Sequence, residues 1–337
     1  MQLRWPKRLT LLATLLALCV VLLGAYVRLS DAGLGCPDWP GCYGHLTVPQ
    51  QPHELQAAAI AHPDKPVDAP KAWKEMVHRY LASTLGLLIV AIVICSYRQR
   101  RNLPHSLRLP ALLLAGVTLQ GMLGMWTVTL LLKPAIVTAH LLGGMTILGL
   151  LCLLAMRLFA SRDSRPLRLQ RDYRIWAALA LLAVALQIAL GGWVSSNYAA
   201  LACPDFPTCR QSWLPAMQFS DAFHIVRELG MTASGALLTQ ENLVAIHWSH
   251  RAGALLVTLI VGSLALQLLR EQGGRGYGGL LALLLVLQLA LGIANVLLQL
   301  PLPLAVAHNG GAALLLLSLV LLNHRLWNRR AYPWQPA

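Results

Sequence analysis

The stretch WKEMVHRYLASTLGLLIVAIVIC, residues 73–95, opens with charged residues and a histidine and continues as an apolar run. Glu75 precedes His78 by three residues, so on a helix the two side chains share a face, one turn apart. Ionisable residues at the edge of a membrane span are costly and usually functional. The plain alternative is a solvated helix start with Glu75 near the N-terminal dipole. The stretch therefore predicts a membrane helix with a candidate site at its mouth.

The composition of the whole chain agrees with a membrane protein. Of its 337 residues, 57% are hydrophobic and 12% are charged, whereas about a quarter of the residues of a soluble domain carry charge. Apolar runs of roughly 20 residues, the length that spans a bilayer as a helix, recur along the chain. We predict an all-α integral membrane protein with eight transmembrane helices, at about 9–29, 77–97, 108–131, 135–157, 174–195, 246–269, 277–299 and 303–323.

The formal net charge of +14 is distributed unevenly between the two sides of the predicted membrane domain. Eighteen of the 27 Lys and Arg residues, with three acidic residues, lie at the termini and around the loops that follow spans 2, 4 and 6. The other nine basic residues are matched by ten acidic ones. By the positive-inside rule both termini are cytoplasmic, and the loops 30–76 and 196–245 face outward. This topology explains the charge without a nucleic-acid partner.

Four landmarks occur twice in the same order, at an offset of about 168 residues. The repeated elements are Cys36–Cys42 and Cys203–Cys209, His78-Arg79 and His250-Arg251, Leu119-Gln120 and Leu287-Gln288, and Ala139-His140 and Ala307-His308. An internal repeat of this kind indicates two copies of one structural unit. Each unit has an even number of spans, so we predict two parallel four-helix bundles related by a pseudo-two-fold axis along the membrane normal. The predicted halves are 1–159 and 174–337, joined by a basic cytoplasmic connector, 160–173.

The two outer loops each carry a Cys-x5-Cys pair. These loops face the oxidising side of the membrane, where disulfides persist. We therefore predict the disulfides Cys36–Cys42 and Cys203–Cys209, with redox work by the first pair as an alternative. The other three cysteines lie within spans and are expected to be buried as small hydrophobes.

Four histidines lie at similar depth in the outer third of the predicted membrane domain. His78 and His250 stand near the starts of spans 2 and 6, and His140 and His308 lie about five residues into spans 4 and 8. A helical bundle builds cofactor sites from such facing side chains. A repeated pair of histidines favours bis-His haem ligation over a polar or proton-relay role, and over zinc or copper sites, which recruit more ligands.

Nearby residues suggest further parts of these sites. Arg79 and Arg251 follow the candidate ligands and are suited either to pair with haem propionates or to support the ligands from the second shell. The glycine pairs 143–144 and 310–311 are expected to leave room for a flat macrocycle. Three residues before His250 stands His247, where the first half has Glu75. Because a carboxylate in a low-dielectric site can act as an acid or base, we infer that the first half performs chemistry and the second holds a cofactor.

Together these residues identify the chain as similar to the haem A synthase family. The resemblance covers eight spans, two parallel halves, a Cys-x5-Cys pair in each outer loop, Glu75-x-x-His78-Arg79, His250-Arg251 and a later histidine in each half. It implies an oxidoreductase that converts the C8 methyl of haem O to a formyl group by two hydroxylations and loss of water. It implies haem b as a cofactor with His250 and His308 as iron ligands, haem O flanked by His78 and His140, and Glu75 as the catalytic residue.

The resemblance also implies where the protein works and with what. It implies a bacterial cytoplasmic (inner) membrane protein of cytochrome oxidase biogenesis, with haem O synthase and oxidase assembly factors as partners. Residues 244–251 read VAIHWSHR, so His247 competes with His250 as the ligand; the repeat favours His250 and leaves His247 as a second-shell group. The electron acceptor, the group on which Glu75 acts (water or the methyl carbon) and the presence of a homo-oligomer are left open.

Three other functions compete with this interpretation. A di-haem b electron carrier would use the same four histidines without needing Glu75. A transporter would favour broken helices near the midplane, whereas the polar residues here gather at the outer edge. A disulfide or metallochaperone factor would use the cysteine pairs and bind no haem.

Overall fold

The computed structural model describes residues 4–101, 107–159, 167 and 169–327. In these residues the chain forms ten helices, and its few β-type contacts are isolated bridges in the loops. The helices are α1 (Arg4–Leu29), α2 (Pro52–Ala61), α3 (Ala69–Arg98), α4 (Arg108–Thr129), α5 (Pro134–Phe159), α6 (Arg174–Ser196), α7 (Phe219–Ala222), α8 (Gln240–Arg270), α9 (Arg275–Leu297) and α10 (Leu302–Trp327).

Eight of the described helices are long and apolar enough to cross a membrane. They are α1, α3, α4, α5, α6, α8, α9 and α10, which confirms the eight spans predicted from hydropathy. The two short helices, α2 and α7, lie in the long loops that precede α3 and α8. The chain is therefore an all-helical, multi-pass membrane protein.

Helices α3 and α8 begin eight and six residues earlier than the hydropathy pattern predicted. Helix α3 begins at Ala69 rather than at 77, where the Asp68 side chain caps it by accepting the Lys71 amide. Helix α8 begins at Gln240 rather than at 246, where Thr239 and Asn242 form a reciprocal capping box. Hydropathy marks the apolar part of a helix, whereas capping side chains mark its first residue. Glu75 consequently lies inside a helix rather than ahead of one, and His247 is the eighth residue of α8 rather than the second residue of a span.

The spanning helices of each half pack in the same pattern. In residues 4–159, α1 and α4 each pack against both α3 and α5. In residues 174–327, α6 and α9 each pack against both α8 and α10. The halves meet through α5 with α6, α1 with α10, and α5 with α10.

Small side chains occupy many of the buried positions between these helices. They include Ala13 and Ala17 on α1, Ala177 and Ala180 on α6, and Ala313 on α10, each at most 2% exposed. In a membrane, helix association depends on close van der Waals packing rather than on burial from water, and small residues permit that approach. The same cluster includes larger buried residues such as Leu148, Leu151, Leu264 and Leu319.

The two long loops lie at one end of the bundle, which we call the loop end. Arg28 donates a hydrogen bond to the Ser195 carbonyl at 2.7 Å, and Tyr198 donates to Asp31 at 2.9 Å. Beyond these contacts, Lys133 in the α4–α5 turn pairs with Glu228 of the second long loop at 2.8 Å. These contacts connect the two halves at the loop end.

Both predicted disulfides are present, Cys36–Cys42 and Cys203–Cys209. The prediction for the other cysteines was wrong in part: Cys19 is exposed on the outside of the bundle, and Cys95 and Cys152 are half-buried. A thiol on the outer face of a spanning helix contacts lipid, so it needs no protein around it.

The predicted connector between the halves begins directly after α5 and ends where α6 begins. Its residues 160–166 and 168 lie outside the described residues. Near its end, Glu271 at the C-terminus of α8 accepts hydrogen bonds from the Gln170 amide at 3.0 Å and the Tyr173 hydroxyl at 3.1 Å. These contacts attach the start of α6 to α8 at the end of the bundle opposite the loop end.

Candidate functional site

The four histidines occupy matching positions in the two halves. His140 and His308 are each the seventh residue of their helices, α5 and α10. His78 and His250 are the tenth and eleventh residues of α3 and α8. All four of these helices begin at the loop end, so the imidazoles lie at similar depth from it.

Within each half the two imidazoles lie on the two helices that face each other diagonally across the four-helix unit. The helices that carry each pair are bridged on both sides, by α1 and α4 in the first half and by α6 and α9 in the second. All four imidazoles are half-buried. Each half therefore frames a partly accessible space with two histidines.

A glycine on the preceding spanning helix faces each imidazole edge-on. A methyl group built on these glycines would lie within 3.3 Å of the histidine Cε1 atom, whereas carbon atoms in good contact are about 3.5–4.0 Å apart. The absence of a side chain is therefore what lets each ring lie in its place. The four pairs and methyl distances are Gly24–His78 (3.0 Å), Gly124–His140 (3.3 Å), Gly191–His250 (3.2 Å) and Gly292–His308 (3.1 Å).

The glycines predicted to make room for a macrocycle are placed differently. The space above Gly143 and Gly311 is filled by the side-chain amides of Gln120 and Gln288. Gly310 lies against Leu22 of the first half. That prediction was wrong because the glycines that follow each histidine contact side chains of neighbouring helices. The glycines that lie beside the imidazole rings belong to other helices.

Glu75 is 4% exposed and anchors the first disulfide loop. Its carboxylate accepts the backbone amide of Cys36 at 3.0 Å and pairs with Arg79 one turn later on the helix. The Arg79 guanidinium also donates to loop carbonyls, including those of Asp38 at 2.9 Å and Gly41. Arg79 thus connects the carboxylate, the disulfide loop and α3.

His247 takes the corresponding place in the second half. It is also 4% exposed, and its Nδ1 accepts the Cys203 amide at 3.2 Å, as Glu75 accepts that of Cys36. Nε of Arg251 lies 3.3 Å from Nε2 of His247. The Arg251 guanidinium also donates to the carbonyls of Cys203, Asp205 and Thr208 at 2.8 Å each. The two halves therefore use one design for the loop anchor, with a carboxylate in the first and an imidazole in the second.

An aspartate shapes each disulfide loop from inside. Asp205 accepts the Thr208 hydroxyl and the amides of residues 210–211. These hydrogen bonds, the Thr208 hydroxyl first among them, lower the pKa of Asp205 from 3.8 to about 2. Asp38 accepts the amides of residues 43–44 in the first loop. The Asp205 carboxylate therefore keeps its charge at any physiological pH, and the loop keeps its shape.

The donor set of each half fits a haem with two axial histidines. Haem iron takes imidazole ligands in such pairs, and the buried Nδ1 atoms of His78, His140 and His308 have no hydrogen-bond partner. Three or more His, Cys, Asp or Glu side chains do not cluster as metal ligands anywhere in the described residues.

Comparison with known proteins points to the same chemistry. Residues 7–320 match the COX15-CtaA family, described as a cytochrome oxidase assembly protein. The chain is similar to haem A synthase of Shewanella oneidensis, with 46% identity over 332 residues that cover 98% of each chain. The chain belongs to the COX15-CtaA family. More distant members include the haem A synthases of Shouchella clausii (27% identity, 80% of this chain and 85% of that one) and Rhizorhabdus wittichii (27%, 94% and 92%).

Some residues of the candidate site were not predicted as such from sequence. Gln120 and Gln288 were noticed as repeat landmarks but given no role, and Gln187 was not noticed. A Gln-x3-Gly signal at 120–124, 187–191 and 288–292 would have found all three. The glycines of these motifs are the ones that face histidine rings.

Proposed function

We propose that the chain is a haem A synthase that oxidises the C8 methyl of haem O to a formyl group. The net conversion takes the methyl carbon and one water to a formyl group, four protons and four electrons. Two of the protons come from the methyl carbon and two from the water, and the electrons are proposed to leave one at a time through the haem of the second half. Family membership and the close haem A synthase relative support the activity. The observation that carries the assignment of roles is the asymmetry between two otherwise matching sites, Glu75 in one and His247 in the other.

In this proposal the first half, 1–159, binds haem O between His78 and His140. Two imidazoles suit the axial positions of a haem iron, and the site lies next to a buried carboxylate. The second half, 174–337, binds haem b through His250 and His308. When bound there, haem b supplies one-electron transfer. The two halves share one packing pattern, which supports a pseudo-two-fold arrangement. In that arrangement α1, α3, α4 and α5 correspond to α6, α8, α9 and α10.

Glu75 is the proposed catalytic residue. A carboxylate held out of water is suited to accept a proton from the methyl carbon or from the water that supplies the oxygen. Arg79 pairs with that carboxylate and holds the loop above it. Of the two roles predicted for Arg79 and Arg251, these contacts support the second-shell role, because both guanidinium groups are engaged with loop carbonyls rather than free for propionates.

His250 rather than His247 is the proposed haem b ligand in the second half. His247 accepts the Cys203 amide, and its other ring nitrogen faces Arg251. His250 faces a glycine in the same way as the other three candidate ligands. We further propose a location in the bacterial inner membrane, with both termini in the cytoplasm and the loop end outside, and action together with haem O synthase and cytochrome oxidase assembly factors.

Pigment analysis of membranes tests the function. The chain is expressed with a source of haem O, and haems are extracted and identified by mass for wild type and Glu75→Ala. We expect haem A in wild type, and haem O with retained haem b in the variant. Haem b without haem A in both samples would contradict the enzyme and leave a di-haem electron carrier. A preparation that binds no haem would favour a disulfide or metallochaperone factor.

A further inference from the structure

Three of the four candidate ligands have a glutamine from the preceding spanning helix beside them. The Gln187 amide nitrogen lies 3.0 Å from Nδ1 of His250 and 2.8 Å from its backbone carbonyl. The Gln288 amide nitrogen lies 3.3 Å from Nε2 of His308, which leaves Nδ1 of that ring without a partner. In the second half, both imidazole rings are therefore contacted directly by an amide.

The imidazole rings of the first half have fewer contacts with glutamine side chains. Gln120 donates to the backbone carbonyl of His140 at 2.7 Å, while Nδ1 of the His140 ring has no partner. Nδ1 of His78 also has no partner. In the first half, neither imidazole ring is contacted by a glutamine.

The glutamines depend on a second small residue. The amide oxygens of Gln120, Gln187 and Gln288 lie so close above glycines that a side chain there would collide with them. Each of these glycines is the third residue after the histidine concerned: Gly143, Gly253 and Gly311. We call a glutamine that contacts a candidate ligand from the preceding spanning helix a brace. A brace needs Gln-x3-Gly on one helix and His-x2-Gly on the next.

His78 has the glycine that faces its ring but lacks both parts of the brace. Gly24 faces His78 as closely as the other three glycines face their histidines. One turn before Gly24, however, stands Val20 in place of glutamine, and three residues after His78 stands Leu81 in place of glycine. Of the four candidate ligands, His78 is the one whose brace residues are replaced by other residues in the sequence.

A brace of this kind controls how firmly a ligand is held. A primary amide has both donor and acceptor atoms, so it can serve an imidazole nitrogen in either protonation state. Groups that hydrogen-bond a metal-binding histidine fix its ring orientation, and their loss typically weakens metal binding about 10- to 100-fold. An enzyme whose substrate and product are both haems must release one haem in every turnover and retain the other.

We propose that Gln187 and Gln288 are positioning residues that keep the second-half haem resident, and that the missing brace at His78 makes the first-half haem exchangeable. This inference rests on the proposed function. It assigns the exchange step to the His78 side of the first half, because His140 still has Gln120 on its backbone.

Haem transfer from the purified full-length protein to excess apomyoglobin tests the proposal. The expected wild-type time course has a fast phase from the first half and a slow phase from the second. Installing the brace by Val20→Gln with Leu81→Gly should slow the fast phase about tenfold. Leu81→Gly alone, which opens the space without adding an amide, is the matched control and should not slow it.

The converse variants test the second half separately. Gln187→Leu and Gln288→Leu should each speed the slow phase about tenfold and shift the low-spin signature of the bound haem in electron paramagnetic resonance. Gln267→Leu, a similar change in α8 seventeen residues beyond His250, is the control and should leave both readouts unchanged.

The outcomes separate this inference from the proposed function. Unchanged release rates and spectra in the glutamine variants, with haem still bound, would overturn the brace and leave the enzyme intact. A fast phase that the installed brace fails to slow would overturn the assignment of exchange to His78. A protein that binds no haem would overturn both.

Discussion

Glycine has an unusual role in this protein, because it decides where imidazole rings lie. Four glycines on four helices face the edges of four histidines at nearly the same distance. None of these contacts follows from the spacing of residues within one helix, since each joins two helices. The histidines themselves stand out in the sequence, but the surfaces that orient them do not.

A larger side chain at one of these glycines should displace the facing ligand. In Gly292→Val the added branches meet the His308 ring, so we expect the bis-His spectrum of the second-half haem to be lost or converted to high spin. Gly279→Val on the same helix is the matched control, because a side chain there meets nothing within 4 Å. Optical and electron paramagnetic resonance spectra of the two purified variants make the comparison. Equal spectra would contradict the role of Gly292.

At the scale of elements, the sequence predicts the eight spans well and their first turns poorly. Apolar length identifies a spanning helix, but α3 and α8 each extend several polar residues beyond their apolar parts. The caps responsible, Asp68 and Thr239, can be recognised in the sequence, since both precede a helix start at capping spacing. The loop contacts of Glu75 and His247 could not be predicted, because they depend on how a loop of about 40 residues folds back.

The orientation of the spanning helices across the membrane can be tested by cysteine labelling. If the loop end is outside, Ile60→Cys in α2, where the native side chain is 76% exposed, should react with a membrane-impermeant maleimide in intact cells. Gln272→Cys, in the exposed turn between α8 and α9, should react after the membrane is opened. The parent chain gives the background from its own cysteines. The opposite pattern of labelling would contradict the proposed topology.

At the scale of the whole molecule, two halves with one packing pattern carry different groups at one matched position. The repeat predicted the cysteine pairs, the four histidines and the Glu75–His247 difference from sequence, because each is a residue identity at a fixed offset. The glutamine braces depend on which helices become neighbours, so the sequence indicated them less clearly. The two halves thus share one packing pattern, and the difference that places a buried carboxylate in the first half only is Glu75 against His247.

That difference gives the most direct test of the central claim, which is that Glu75 performs chemistry beyond anchoring its loop. Glu75→His replaces it with the residue that the second half uses for the same contact to a cysteine amide. The measurement is the haem A content of membranes that also contain a haem O source. A non-reducing mass check of the Cys36–Cys42 disulfide shows whether the loop is intact.

If Glu75 transfers protons, Glu75→His should retain the disulfide, haem b and haem O but form at least about 100-fold less haem A, the typical loss for a general acid–base group. Haem A at the wild-type level in this variant would contradict the account, because it would show that an anchor of either kind is sufficient.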